Sequence, residues 1–96
     1  MGMNITWQEQ ALVNLDGALA HISRDNPVAA VRLLTQIVTS VDKMLAVHPS
    51  IGRPGRVAGT RELVVHKNYV LAYRMQAEDI QILAVMHSAR LWPDGF

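Results

Sequence analysis

The apolar residues of this chain change their period once, and that change constrains the fold more than any other feature. Up to His48 they recur every three or four positions; after Thr60 they gather into short runs rich in Val, Ile, Leu and Tyr. A helical half followed by a strand half predicts an α+β domain, with helices layered on one face of an antiparallel sheet. The 96 residues suit a single domain, 1–96. Met1 and Gly2 read as an appended scar ahead of a natural start at Met3.

The elements can be placed from local chemistry. "MNITW" is a short first strand, and Thr6 with Glu9 fits a capping box at a helix start. Ala11, Leu12, Leu15, Ala18, Leu19 and Ile22 then repeat at helical spacing, which predicts a helix over about 8–24. "DNP" follows: Asn26 suits an N-cap and Pro27 the first helical position, where a missing N–H costs nothing. Val31, Leu34, Val38, Val41 and Leu45 mark a second helix over about 27–47, and the short join predicts a helical hairpin. "HPSIGRPGRVAG" is a loop stiffened by Pro49 and Pro54. "TRELVVH" and "YVLAYRM" flank a tight turn at Lys67-Asn68, and "IQILAVMH" completes a three-stranded antiparallel meander.

Composition removes several function classes. Without cysteine the chain has no disulfide and no thiolate metal site, which suits a reducing cytoplasm. No apolar run reaches the roughly 18 residues of a membrane span, and no secretory signal pattern opens the chain. No cofactor motif is present, and His21, His48, His66 and His87 lack metal-site spacing. Net charge is only +1, unlike a general nucleic-acid binder. The charge is focused, however. Arg53, Arg56, Arg61, Lys67 and Arg74 stand against Glu62 alone in residues 53–74.

Two readings of that cluster stay open: a solvated loop, or a cationic rim for phosphate or an acidic protein segment. Strand alternation puts Glu62, Val64 and His66 on one face, and Val70, Ala72 and Arg74 opposite Tyr69, Leu71 and Tyr73. The helices cover one face only, and the sequence leaves open which; the other would leave Val64, Val70 and Ala72 partly bare, as a partner surface. At the end of the last strand, His87 with Arg90 could move a proton and hold a phosphate, or simply cap the sheet with Trp92 over the core.

"GRPGRVAGTRELVV", "YVLAYRM" and "ILAVMHSARLWP", after two amphipathic helices, resemble the RelE/ParE toxin superfamily of type II toxin–antitoxin modules. The resemblance runs from "ITW" to "RLWP". It implies a cytoplasmic toxin, with growth inhibition and plasmid stabilisation as its role, neutralised by a cognate antitoxin. Arg53, Arg56, Arg61, Lys67, Arg74, Arg90 and Trp92 are then the expected antitoxin or target contacts. Two branches differ in target. RelE-like members resemble ribosome-dependent mRNA endonucleases, with acid/base groups on the first meander strand, an arginine in the next, one at the last strand's end, and often a C-terminal tyrosine or histidine. Here the matching positions are Glu62 and Val64, Val70, Arg90 and Phe96, so only Arg90 fits. His66, Lys67 and His87 could form a substitute set, which makes His66, His87 and Arg90 the catalytic candidates on that branch. ParE-like members lack the nuclease set and poison DNA gyrase, so the resemblance implies gyrase as target and no enzymatic activity of the chain's own. A third reading is a toxin-derived binding protein that has lost its activity.

Overall fold

The structure, a computed structural model, describes residues 3–89, 93, 95 and 96. The chain runs β1 (Asn4–Trp7), α1 (Glu9–Asp25), α2 (Pro27–Thr39), a π-helical turn (Ser40–Leu45), β2 (Arg53–Pro54), β3 (Arg61–His66), β4 (Tyr69–Gln76) and β5 (Asp79–His87). The expected meander is present as β3–β4–β5, and the hairpin turn falls at Lys67-Asn68. It is the centre of a larger mixed sheet, ordered β1-β5-β4-β3-β2. The first strand lies parallel to the last, with Asn4 against Asp79 and Trp7 against Ile82.

That pairing corrects the helix start. Thr6 is held in the β1 ladder opposite Gln81, and the Gln8 N–H still donates to Ile82 O at 2.9 Å. The chain must therefore stay extended through Gln8. Gln8 is the N-cap without any side-chain cap bond, and the capping box read at Thr6 and Glu9 does not form. At the second helix the expectation holds: Asn26 Oδ1 accepts from the Ala29 N–H at 3.1 Å, with Pro27 first in the helix.

The second helix carries apolar residues on two adjacent stripes, and the one first singled out in its α-helical part is the wrong one for the core. Ala30, Leu33 and Ile37 are buried, while Val31, Leu34 and Val38 are exposed. The α-helix also ends at Thr39 instead of near 47, giving way to the π turn. At 3.6 residues per turn a four-residue step overshoots a full circle by about 40°. The wider π turn undershoots it, so Ile37, Val41 and Leu45 all return to the core.

The core lies between the hairpin and the inward side of the sheet. Leu63, Val65, Tyr69, Leu71, Tyr73, Ile80, Ile82 and Val85 meet Ala11, Ala18, Leu33 and Ile37 there. α1 runs along β5, and Asn14 Oδ1 accepts from the Val85 N–H at 3.3 Å, past the short reach of β1. Of the three outer-face residues expected to be bare, Val64 is exposed. Val70 and Ala72, expected to be partly exposed, are buried. Ala72 is a small side chain between Glu62 and Ala84 in register, and Val70 sits between Val64 and Met86. Among the described residues no helix is long and apolar enough to cross a membrane.

Candidate functional site

The three arginines of the loop are drawn first into the fold. β2 sets Arg53 opposite Glu62 on β3. Glu62 is 2% exposed, and a carboxylate so buried requires partners. Arg53 Nη2 donates to Oε1 at 3.1 Å, the Arg56 backbone N–H donates to Oε2 at 2.7 Å, and Arg56 Nε lies 3.6 Å from Oε1. The side chains of Arg53 and Arg56 nonetheless keep 55% and 45% of their surface in solvent. The arrangement therefore has a buried anion on the outer sheet face, covered by two half-exposed cations.

Arg61 holds the other end of the loop. Its Nη1 donates to Gly52 O at 2.7 Å and lies 3.5 Å from Ser50 O. Beside it the Tyr73 hydroxyl donates to Pro49 O at 2.6 Å and accepts from the Gly52 N–H at 2.9 Å. Burial raises the Tyr73 pKa above 10.0; the Gly52 bond and the Arg61 charge oppose the rise. Gly52 must be glycine for this approach, since a Cβ would stand 2.7 Å from the Tyr73 oxygen. Pro49, Gly52, Arg61 and Tyr73 thus form a clasp that ties the loop to the sheet. Arg74 Nε donates to Gln81 Oε1 at 2.7 Å on the exposed end of β4, and Lys67 is exposed in the hairpin turn. Arg90 and Trp92 lie outside the described residues.

His66 and His87 do come together, but not on the expected face. Simple alternation puts His66 on one face with Glu62 and Val64. A bulge between Val64 and His66 inserts Val65 and turns His66 to the side of its partner, Tyr69. Tyr69 also pairs with His87. The ring centroids are 5.9 Å apart for His66–Tyr69 and 5.3 Å for Tyr69–His87. Each imidazole Nδ1 accepts a backbone N–H, from Asn68 at 3.2 Å and from Ala89 at 3.1 Å. These bonds fix the neutral tautomer with its proton on Nε2. Across a cleft from His87 stand His21 and Arg24 of α1, neither of which sequence reasoning had joined to it. Their signal was the spacing of Gly17, His21 and Arg24 along one side of a helix, which only the docking of α1 beside β5 makes meaningful. Among the described residues no three His, Asp or Glu side chains converge as a metal site.

The family model described as the ParE toxin of type II toxin–antitoxin systems, parDE, matches residues 5–92. The chain belongs to the ParE toxin family. Its relatives include the putative toxin Y4kP of Sinorhizobium fredii, 46% identical over 90 residues that cover 93% of this chain and 92% of that protein. Toxin RelE2 of Caulobacter vibrioides is 34% identical over 87 residues, 91% of this chain and 97% of that one. Among solved structures, the chromosomal ParDE system of P. aeruginosa superposes with a TM-score of 0.77 at 28% identity, covering 88% of this chain and 95% of the other. The RelBE2 toxin–antitoxin complex of Mycobacterium tuberculosis shares the fold, at a TM-score of 0.66 and 24% identity over 94% and 95% of the chains. This ParE-family chain is therefore a type II toxin, with the helical hairpin and sheet of the RelE/ParE superfamily. The relatives carry both ParE and RelE names, so kinship alone assigns no target.

Proposed function

We propose that the chain is a cytoplasmic ParE-like toxin that poisons DNA gyrase and is silenced by a cognate antitoxin. The observation that carries the target is the chemistry of the outer sheet face. Where RelE-like nucleases place acid/base groups, this chain has Glu62, whose carboxylate is engaged by Arg53 and Arg56, and the apolar Val64. Where they place an arginine in the next strand it has Val70, which is buried, and its C-terminal aromatic, Phe96, has no hydroxyl. Losing a general acid or base typically costs 10²- to 10⁴-fold each, so this face would make a poor nuclease.

The antitoxin reading rests on kinship with toxins solved in complexes and on two surfaces. Val28, Val31, Leu34 and Val38 form an exposed apolar stripe about 15 Å long on α2, suited to an amphipathic segment. The exposed faces of Arg53 and Arg56, with Lys67 and Arg74, would set its charge register. One observation favours a second reading. His66 and His87 flank Tyr69, and with Arg90 they would be the catalytic set of an mRNA endonuclease.

The deciding experiment pairs gyrase supercoiling and cleavage-complex trapping with mRNA cleavage on translating ribosomes. Trapped gyrase with intact mRNA is the expected result. Cut mRNA with unaffected gyrase would transfer the assignment to the histidine pair. Silence in both would point to another target or to a toxin-derived binding protein that has lost its activity.

A further inference from the structure

A cleft of about 440 Å³ opens between α1 and the adjoining ends of β4 and β5. Asn14, Gly17, His21 and Arg24 line it from the helix, Tyr69 and His87 from the sheet. Its volume falls within the roughly 300 to 1,000 Å³ of small-ligand sites. Three observations say what it would hold.

Gly17 is the first. Glycine weakens the middle of a helix. Here neither packing nor backbone demands it: a Cβ would meet nothing within 4 Å, and its φ is not positive. Its bare backbone leaves room in the cleft that a side chain would take. Tyr69 is the second. It is only 6% exposed, and its hydroxyl has no hydrogen-bond partner among the described residues. A buried polar group in that state calls for a partner. The third is the donor set. The His87 Nδ1 accepts from Ala89, so Nε2 carries the proton that can be donated. Asn14 uses its oxygen on Val85 and keeps its amide N–H groups. The Arg24 guanidinium and the His21 ring have no hydrogen-bond partner among the described residues. Among the described residues no carboxylate lines the cleft.

A concave site with many donors, one fixed cation and no anion suits a ligand that only accepts hydrogen bonds and carries negative charge. The planar fork of an arginine matches two oxygens of such a group at once. We propose that this cleft binds the phosphate of a small phosphomonoester of mononucleotide size. The inference goes beyond the gyrase-toxin reading, and it shares His87 with the endonuclease alternative.

The test is an amide chemical-shift titration of the isotope-labelled full chain at constant ionic strength. The probes are inorganic phosphate, adenosine 5′-monophosphate and adenosine. Saturable shifts at Gly17, His21, Arg24 and His87 are expected with the two phosphates and not with adenosine. Arg24→Gln removes a charge-assisted bond and should weaken binding about tenfold. Gly17→Ala should weaken it as much by narrowing the site, while raising Tm by roughly 4 to 8 °C, so that weaker binding is not misfolding. The proposal is overturned if the shifts do not saturate, if adenosine moves the same amides as strongly, or if inorganic phosphate binds and the monophosphate does not. It is equally overturned if both variants bind like the parent.

Discussion

Glu62 is buried between two arginines that each keep about half of their side chain in water, and this asymmetry separates two substitutions that look alike. Glu62→Gln leaves cations that water can solvate and should lower stability by about 1 kcal/mol. The double change Arg53→Gln with Arg56→Gln leaves a buried carboxylate without a cation, held by the Arg56 backbone N–H, and should cost about 3 kcal/mol. Urea unfolding of the two variants compares them directly. The loop arginines are therefore structural before they can be contacts, and their reversal would damage the loop as well as any interface. Tyr73 gives a pH signature. Its phenol is held above 10.0 by burial, so the native state favours the protonated form. That contribution is complete below pH 10 and is lost as pH rises through the folded value. Tyr73→Phe should cost about 2 kcal/mol by removing the bonds to Pro49 and Gly52. It should also flatten that part of the alkaline decline in stability, measured by urea melts between neutral and high pH.

Among the elements, β4 and β5 join through a turn in which Ala77 takes a φ of 55°. A left-handed alanine costs roughly 1 to 2 kcal/mol, and Ala77→Gly relieves it while adding freedom to the unfolded chain. A net gain of about 1 kcal/mol is expected, read as a higher midpoint of urea unfolding with unchanged slope. On α2, Val31→Glu with Val38→Glu should leave the melting midpoint within about 0.5 kcal/mol, since both positions are exposed. The same pair should weaken antitoxin binding more than tenfold by calorimetry if the exposed stripe is the docking surface.

These elements also show where sequence reasoning reached and where it stopped. The change of apolar period placed both helices and the meander, because each element's period follows from its own geometry. The buried stripe of α2 was not legible, because two stripes lie side by side and only the sheet beneath decides between them. The grouping of His66 on one face with Glu62 and Val64 failed because one inserted residue at Val65 reverses every alternation after it. The arginine cluster was visible as composition. Its attachment to Glu62, Gly52 and Ser50 depended on strand register and loop path, which no local pattern encodes. His21 and Arg24 were passed over for the same reason: their relation to His87 is made by how α1 docks.

At the scale of the whole molecule, 96 residues bury only roughly 60 to 65% of their unfolded surface, so bound partners weigh heavily in stability. An antitoxin present at a hundred times its Kd would add about 2.7 kcal/mol, seen as a melting temperature that climbs with antitoxin concentration. The parallel pairing of β1 with β5 has a different consequence, one that concerns synthesis. The second residue pair of that ladder joins Ile5 to Ile80, so the earliest strand waits for the latest one. A chain still emerging from the ribosome can form its helical hairpin but has nothing to seat β1 against. A polypeptide cut short before Asp79 lacks the strand that joins β1 to β4. The sheet is thus completed only once β5 has been made, and shorter products of the same message cannot carry its finished surface.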